Sequence, residues 1–196
     1  MYYHFQADND EDIDFNEKLS SKQCEAVKSN GQQCRNKTVI GQIFCWIHRK
    51  HILNLQIKNS SLRNAGKGLF AYGRKNEIIF KPGQRICMYD GEIIDDEELA
   101  DRYGEYTAPY AVQLHTRNGQ EVYEDAGIER GLGSLANHSK NQSKLNARIG
   151  VSRQNRAQLI AIKNIKAGKE IFVDYGDDYI IDKDVCSSTN RKKSTC

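Results

Sequence analysis

The sequence lacks three features that would place it in other classes of protein: long apolar runs, a secretory leader and an evenly spread set of cysteines. Its apolar runs are only a few residues long, whereas a membrane-spanning helix needs about 20 consecutive apolar residues. We therefore expect no membrane partner. The first residues, Met1 to Phe5, are followed by acidic residues rather than by the basic and then apolar order of a signal peptide. This order favours an intracellular protein.

The composition indicates a globular protein with one medium domain and a small appendage. Hydrophobic residues make up 38% and charged residues 28% of the 196 residues, which is ordinary for such proteins. A chain of this length can bury a core without covalent cross-links. The net charge of +3 is too small to imply a nucleic-acid partner by itself.

Three of the six cysteines lie close to a histidine and the others are scattered, which is a poor basis for a disulfide framework. The clustered residues are Cys24, Cys34, Cys45 and His48. Three thiolates and one imidazole suit the tetrahedral preference of Zn2+, and four protein ligands leave no open position for catalysis. We predict a structural zinc site in residues 21–55, called the cysteine module below. Free thiols in a reducing cytosol are the alternative.

The segments in and before the cysteine module differ in charge. Residues 1–20 are rich in aspartate and glutamate and poor in apolar residues, so we expect a disordered acidic arm. The module itself is rich in lysine and arginine. Its basic side chains could contact either nucleic-acid phosphates or an acidic protein partner.

Local patterns predict mainly short strands after the module. Leu53, Leu55 and Ile57 alternate with polar residues, which predicts one face of a strand. Asp95 to Tyr103 has the acidic first turn that a short helix favours. Asn118 and Gly119 separate two strand-like runs and give the strongest hairpin signal in the chain.

Three short motifs follow in order: Gly66-Lys67-Gly68-Leu69, then Asn137-His138-Ser139, then Asp174-Tyr175-Gly176. Glycine lets the backbone turn tightly and approach a ligand, but a Gly-x-Gly alone is a weak signal. In this order and spacing, the motifs resemble those of the SET-domain protein lysine methyltransferases. Among these, the chain is similar to the compact SET proteins of large DNA viruses.

The chain departs from the family pattern in two places. The family usually has Cys-x-Pro-Asn after the Asn-His-Ser motif, whereas Ser139-Lys140 here begins a longer loop without proline. Many members also have a cysteine-rich zinc segment behind the domain, where this chain has only Cys186 and Cys196. The substrate channel would therefore be completed by the tail after Tyr179 or by the second subunit of a homodimer.

The resemblance implies the fold of residues 57–181. We expect a mainly β, α+β domain of the SET β-clip type, in which short sheets surround a C-terminal segment threaded under a loop. Hydrophobic patterns alone would not predict such threading. Residues 182–196 are expected to form a flexible basic tail.

The resemblance also implies an activity and a site. SET enzymes transfer a methyl group from S-adenosylmethionine to the ε-amine of a protein lysine. By resemblance, Tyr175 and Tyr110 are the catalytic tyrosines, and Tyr89 lines the lysine channel. The residues that match the cofactor site are Gly66, Lys67, Gly68, Leu69, Asn137, His138 and Tyr175.

The expected substrate is a basic, lysine-containing protein tail, with a histone tail as the first choice and the nucleus as the expected location. Two alternatives stay open. One is a SET-fold scaffold that has lost turnover. The other is a nucleic-acid-binding protein that acts through the basic cysteine module.

Overall fold

The computed structural model describes residues 22–38, 42–104 and 108–176. The predicted acidic arm, the predicted basic tail and Tyr179 lie outside the described residues. Within the described ranges, no helix combines the length and the apolar character that crossing a lipid bilayer requires.

The described chain consists of two short helices, one 3-10 turn and twelve short strands. Their order is α1 (Trp46–Ile52), β1 (Leu55–Asn59), β2 (Lys67–Ala71), β3 (Ile78–Phe80), β4 (Arg85–Met88), β5 (Glu92–Asp95), α2 (Asp96–Tyr103), β6 (Ala111–Gln113), β7 (Val122–Asp125), the 3-10 turn (Gly133–Leu135), β8 (Asn137–His138), β9 (Ala147–Val151), β10 (Ala157–Ala161), β11 (Ile165–Lys166) and β12 (Phe172–Val173). The prediction of a mainly β domain with little helix is confirmed.

These strands form five small sheets instead of one large one. Two sheets have three strands, in the orders β4-β10-β9 and β5-β7-β6, and the other three are the pairs β1-β2, β3-β11 and β8-β12. All pairs are antiparallel except β8 with β12, which is parallel. Parallel neighbours need a long connection between them, so this pair joins distant parts of the sequence.

The predicted hairpin and helix are both confirmed. Strands β6 and β7 pair across the turn at Asn118 and Gly119, both of which have positive φ, at 54° and 80°. That backbone matches the right-handed twist of the flanking strands. Helix α2 begins after Asp95, whose side chain accepts a hydrogen bond from the backbone N–H of Glu98. This bond satisfies one of the free donors at the start of the helix.

The strand predicted from Leu53 begins two residues later than expected. Helix α1 continues through Ile52, Leu53 caps it, and Asn54 has a φ of 53° before β1 begins at Leu55. The prediction that Leu53 lies on the strand is therefore wrong. Leu53 and Ile57 nevertheless pack against the main core, so the apolar residues of this segment face the domain as predicted.

One main core lies between the small sheets. Fourteen buried apolar residues form it, including Leu55, Leu69, Leu159 and Ile171, which are fully buried. Each fully buried side chain of this size stabilises the fold by about 1.5–3 kcal/mol. The core therefore joins β1 and β2 to the strands at the C-terminal end of the described chain.

The cysteine module has a much smaller apolar core. Isolated bridges pair Gln23 with Lys37 and Val27 with Gln33 across a turn at Gly31, so this segment forms a small hairpin. Its buried core consists only of Cys24, Ala26, Cys34 and Cys45, with Phe44 packed against it. The Gln42 side chain donates a hydrogen bond of 2.9 Å to the Arg130 carbonyl, and the Asn54 carbonyl accepts one of 2.7 Å from the Tyr72 N–H. Both bonds connect the module to the main domain.

Candidate functional site

The parallel pair of β8 and β12 brings two of the three sequence motifs together. Asn137 lies opposite Phe172, and His138 lies opposite Val173. Asp174 and Tyr175 follow directly after β12. A backbone ladder thus fixes the position of Asn137 and His138 relative to Tyr175, from which they are 38 and 37 positions away in sequence.

The glycine motif joins the same site through Asn137 and Glu170. The Asn137 amide donates hydrogen bonds of 3.1 Å to the Lys67 carbonyl and to the Glu170 carboxylate. A Cβ atom at Gly68 would collide with that carboxylate and lie 2.9 Å from the Asn137 amide nitrogen. Glycine at this position therefore allows the turn to lie against the Asn137 side chain.

Glu170 is a buried carboxylate at the centre of this arrangement, with 5% of its surface exposed. It accepts hydrogen bonds from the Ser60 hydroxyl at 2.6 Å and from the Ser61 hydroxyl and N–H at 2.6 and 2.7 Å. Burial would raise the pKa of Glu170, but these bonds and the one from Asn137 outweigh burial and lower the pKa. The carboxylate is thus stabilised as an anion that holds three segments together.

Tyr175 and His138 contact each other directly. The backbone N–H of Tyr175 donates to Nδ1 of His138 at 3.2 Å, and the two ring centroids are 5.4 Å apart. The lone pair of Nδ1 is used by this bond, so the ring proton lies on Nε2. Nδ1 lies 3.6 Å from the carboxylate of Asp174, which is too long for a second hydrogen bond. His138 therefore positions the backbone of Tyr175.

The Tyr175 hydroxyl donates to the Ala136 carbonyl at 2.8 Å. Its side chain also lines a cavity of about 350 Å³. The described residues that line this cavity are Tyr89, Ala108, Pro109, Ala111, Val112, Gln113, Ile149, Asp174, Tyr175 and Gly176. Apart from Asp174, which is exposed, the lining carries no carboxylate or cationic side chain among these residues.

The other two predicted channel tyrosines lie in different positions. Tyr89 lines the cavity, and its hydroxyl donates to the Tyr110 carbonyl at 3.0 Å. Burial raises the pKa of Tyr89, with a further contribution from Tyr175, so the phenol is protonated at neutral pH. Tyr110 is not among the lining residues, and its ring lies 4.1 Å from the guanidinium carbon of Arg130. The role predicted for Tyr110 stays a prediction.

The four predicted metal ligands form one cluster. The ligand atoms of Cys24, Cys34, Cys45 and His48 all lie within 4.8 Å of one another. Nδ1 of His48 is 3.5 Å from the sulfur of Cys24 and 3.3 Å from that of Cys45. The three cysteines are buried and the histidine is half-buried. This donor set is compatible with a structural zinc ion.

The environment of the cluster favours a thiolate at Cys45. Burial raises its pKa, but hydrogen bonds from the His48 backbone, the Asn36 amide and the His48 ring together lower the pKa of Cys45 to about 6. Burial raises the pKa of its neighbour Cys24. Of these two adjacent thiols, Cys24 therefore keeps its proton to a higher pH than Cys45. A bound dication would favour the thiolate form of both.

Two buried carboxylates that the sequence interpretation missed hold the sheet beside the cavity. Glu124 accepts two bonds from the guanidinium of Arg156 and two from the backbone N–H groups of Gly91 and Ala157. Asp125 accepts bonds from Arg102 and from the Tyr103 hydroxyl. Both side chains are fully buried on β7. Two consecutive acidic residues inside a strand-like run were the available sequence signal.

Comparison with known proteins identifies the family of this arrangement. Residues 66–176 match the family model described as SET domain. Histone-lysine N-methyltransferase EZH2 of Chaetomium thermophilum is 30% identical over 128 residues, which are 61% of this chain and 8% of that protein. Histone-lysine N-methyltransferase Set2 of Drosophila melanogaster is 29% identical over 158 residues, which are 78% of this chain and 6% of that protein.

A solved structure agrees with the sequence comparison. It is a humanized mutant of the Chaetomium thermophilum Polycomb Repressive Complex 2 bound to an inhibitor, with 25% identity and a TM-score of 0.50. The match covers 77% of this chain and 18% of that one. The aligned part of the curated relatives is between 6% and 21% of their length.

Proposed function

This chain belongs to the SET domain family, and we propose that it transfers methyl groups from S-adenosylmethionine to the ε-amine of a protein lysine. The observation that carries the proposal is the parallel pairing of β8 with β12. It places Asn137 and His138 beside Tyr175 at the edge of a cavity. Four of the five curated relatives are named as histone-lysine N-methyltransferases, which supports the same reaction.

The cavity suits the amine that this reaction needs. A lysine has a reference pKa of about 10.4, yet only the neutral amine can attack a methyl group. The lining is mostly apolar, and burial of Tyr89 keeps its phenol uncharged. Such surroundings disfavour the ammonium form. Asp174, whose side chain is 50% exposed, also lines the cavity and can attract a cationic lysine to it.

The cofactor residues are held by the polar network around Glu170. S-adenosylmethionine supplies the activated methyl group, and the chain has to hold the amine in line with it, which is mainly a matter of positioning. We assign its binding to Gly66, Lys67, Gly68, Leu69, Asn137 and His138. The Glu170 carboxylate fixes Asn137 relative to the glycine turn. Tyr175, held by Ala136 and His138, is assigned to orient the amine.

We further propose that the substrate is a histone tail, which would place the protein in the nucleus, and that zinc holds the cysteine module. Histone tails are basic, and the exposed carboxylate of Asp174, which lines the cavity, has the complementary charge. The four ligands of the module leave no position for a reacting group. Zinc is therefore assigned a structural role.

The test is transfer of labelled methyl groups to a panel of core histones, using zinc-loaded protein. We expect label on one histone and about a 100-fold lower rate for Tyr175→Phe, because misplacing the reacting groups costs on this order. Tyr72→Phe is the matched control, since Tyr72 contacts His51 and does not line the cavity.

The outcomes separate the alternatives. Equal label with both variants would contradict the role of Tyr175. Cofactor binding without label on any histone would exclude the histone substrate and leave another protein as the substrate. Absence of both cofactor binding and label would overturn the proposed activity and favour a scaffold.

A further inference from the structure

Arg130 lies between the cysteine module and the residues around the cavity beside Tyr175. Its carbonyl accepts the 2.9 Å hydrogen bond from the Gln42 side chain of the module. Its guanidinium carbon lies 4.1 Å from the centroid of the Tyr110 ring. A guanidinium within about 6 Å of an aromatic centroid is attracted to the face of the ring. Arg130 thus contacts the module through its backbone and Tyr110 through its side chain.

The bond from Gln42 is not an ordinary surface contact. Only 9% of Gln42 is exposed. A buried donor that loses its acceptor is unfavourable, so we expect this bond to persist while the module is folded. The position of the Arg130 backbone therefore depends on the module.

The residues that follow Arg130 pack tightly against the backbone of Tyr89. A Cβ atom at Gly131 would collide with the Tyr89 carbonyl oxygen. At Gly133, a Cβ atom would lie 2.8 Å from the Met88 carbonyl oxygen and 2.8 Å from the Tyr89 Cα. Both glycines are buried. Because close-packed interiors transmit strain, we expect a displacement of Arg130 to move Tyr89.

Tyr89 and Tyr110 are also joined to each other beside the cavity. The Tyr89 hydroxyl donates to the Tyr110 carbonyl at 3.0 Å. Tyr89 lines the cavity, and so do Pro109 and Ala111 on either side of Tyr110. Residues 130–133 therefore contact both tyrosines on this side of the cavity.

We propose that Arg130 is a positioning residue of the cavity beside Tyr175, and that the cysteine module holds it in place through Gln42. Arg130 acts by fixing the Tyr110 ring and, through the adjoining glycines, the backbone of Tyr89. The effect on catalysis rests on the proposed methyl transfer, whereas the coupling between the module and the two tyrosines does not. The module, whose four ligands leave no position for a reacting group, thereby contributes to the geometry of the site.

The first experiment records the tyrosine ring signals of the zinc-loaded full chain by NMR, with isotope-labelled tyrosine and without substrate. Gln42→Met removes the amide donor at nearly constant volume, and we expect it to shift the signals of Tyr89 and Tyr110. Gln23→Met is the matched control, because the Gln23 amide donates to the Cys34 carbonyl within the module. Tyr89 and Tyr110 signals that are the same in both variants would overturn the proposal.

The second experiment measures methyl transfer to the histone that the original chain labels. Arg130→Met should raise the KM for this protein about tenfold. The KM for S-adenosylmethionine should stay unchanged, because the Glu170 network holds the cofactor residues. Arg130→Lys keeps a cation for the ring and should recover most of the loss. Arg153→Met is the matched control, because Arg153 is exposed and does not line the cavity.

These measurements distinguish positioning from loss of folded protein, which lowers the amount of active enzyme and changes neither KM. Zinc content is measured for each variant. If Gln42→Met loses zinc, Arg130→Met leaves the module unchanged and must still shift the Tyr89 signal. An unshifted Tyr89 signal, or an unchanged KM for the histone with Arg130→Met, would overturn the proposal. Shifted signals in a chain that labels no histone would contradict the proposed substrate and still support the coupling.

Discussion

The cysteine module and the SET domain of this chain are stabilised by different means. The SET domain has a main core of fourteen buried apolar residues. The module has four buried core residues, and three of these are the cysteines that would bind a metal. Large apolar side chains of the module, such as Val27 and Trp46, are 66% and 58% exposed. The comparison predicts that the module depends on metal ligation where the SET domain depends on burial.

The difference extends to the polar groups of the two units. In the SET domain, the buried carboxylates of Glu124, Asp125 and Glu170 accept hydrogen bonds from several segments and hold the loops beside the site. In the module, the corresponding acceptors are thiol sulfurs. A carboxylate network works without a cofactor, whereas a thiolate cluster needs a cation to balance its charge. The module should therefore be separable from the domain by removing the metal.

The largest expected effect is loss of the module with Cys45→Ser. Structural zinc contributes about 10–16 kcal/mol in zinc-finger peptides, far more than the small core of the module can replace. We expect hydrogen-exchange protection to disappear over residues 22–38 while residues 147–161 stay protected. Cys87→Ala is the matched control, because Cys87 lies in the main core and outside the cluster. Loss of protection in both regions at once would contradict the separation.

A smaller effect is expected in the SET domain for Glu170→Gln. The amide keeps the shape of the side chain but loses the charge that receives the bonds of Ser60, Ser61 and Asn137. Hydrogen bonds to charged groups contribute about 1.5–3 kcal/mol each, and the amide retains part of them. We expect a loss of about 2 kcal/mol in the free energy of unfolding, measured with denaturant, with no loss of zinc.

The same variant predicts a pH dependence. The pKa of Glu170 is lowered in the folded state, so its contribution is present above the unfolded pKa of about 4.3 and is lost as the pH falls through the folded pKa. The stability of the original chain should fall more steeply below about pH 4.3 than that of Glu170→Gln. If the stability of the two proteins fell in parallel with pH, the hydrogen bonds to Glu170 would not be stabilising its charged form in the folded state.

These contrasts also show which features the sequence could predict. The Asn118-Gly119 hairpin and the short helix after Asp95 depend on residues close in sequence, and the structure confirms both. The four predicted metal ligands are also close in sequence, and the structure brings them together in one cluster. The resemblance to SET enzymes placed Asn137, His138 and Tyr175 in one predicted site, although they are far apart in sequence. For this site, the order of the motifs was more informative than hydrophobic periodicity.

Other features depend on contacts that local patterns do not contain. Glu170 reaches Ser60 across 110 positions of sequence, and Glu124 reaches Arg156 across 32. Charged residues are usually solvated. The sequence alone therefore predicts a surface position for both glutamates, because it does not show their distant partners. Arg49 is a further case, because its basic neighbours predict a solvated face, whereas the structure buries it.

The smallest expected effect is that of replacing Trp46, the largest apolar side chain of the module. It tests directly whether burial contributes to the stability of the module. Trp46→Ala should change the free energy of unfolding by only about 0.5 kcal/mol, the usual range for exposed positions. The ring is 58% exposed, and its neighbour is the Lys50 ammonium at 4.8 Å. Phe80→Ala is the matched aromatic change in the SET domain, where Phe80 is 4% exposed, and should cost about 3–5 kcal/mol. Denaturant unfolding measures both, and chelator titration measures zinc release. A large loss with Trp46→Ala would mean that burial, and not only metal ligation, holds the module.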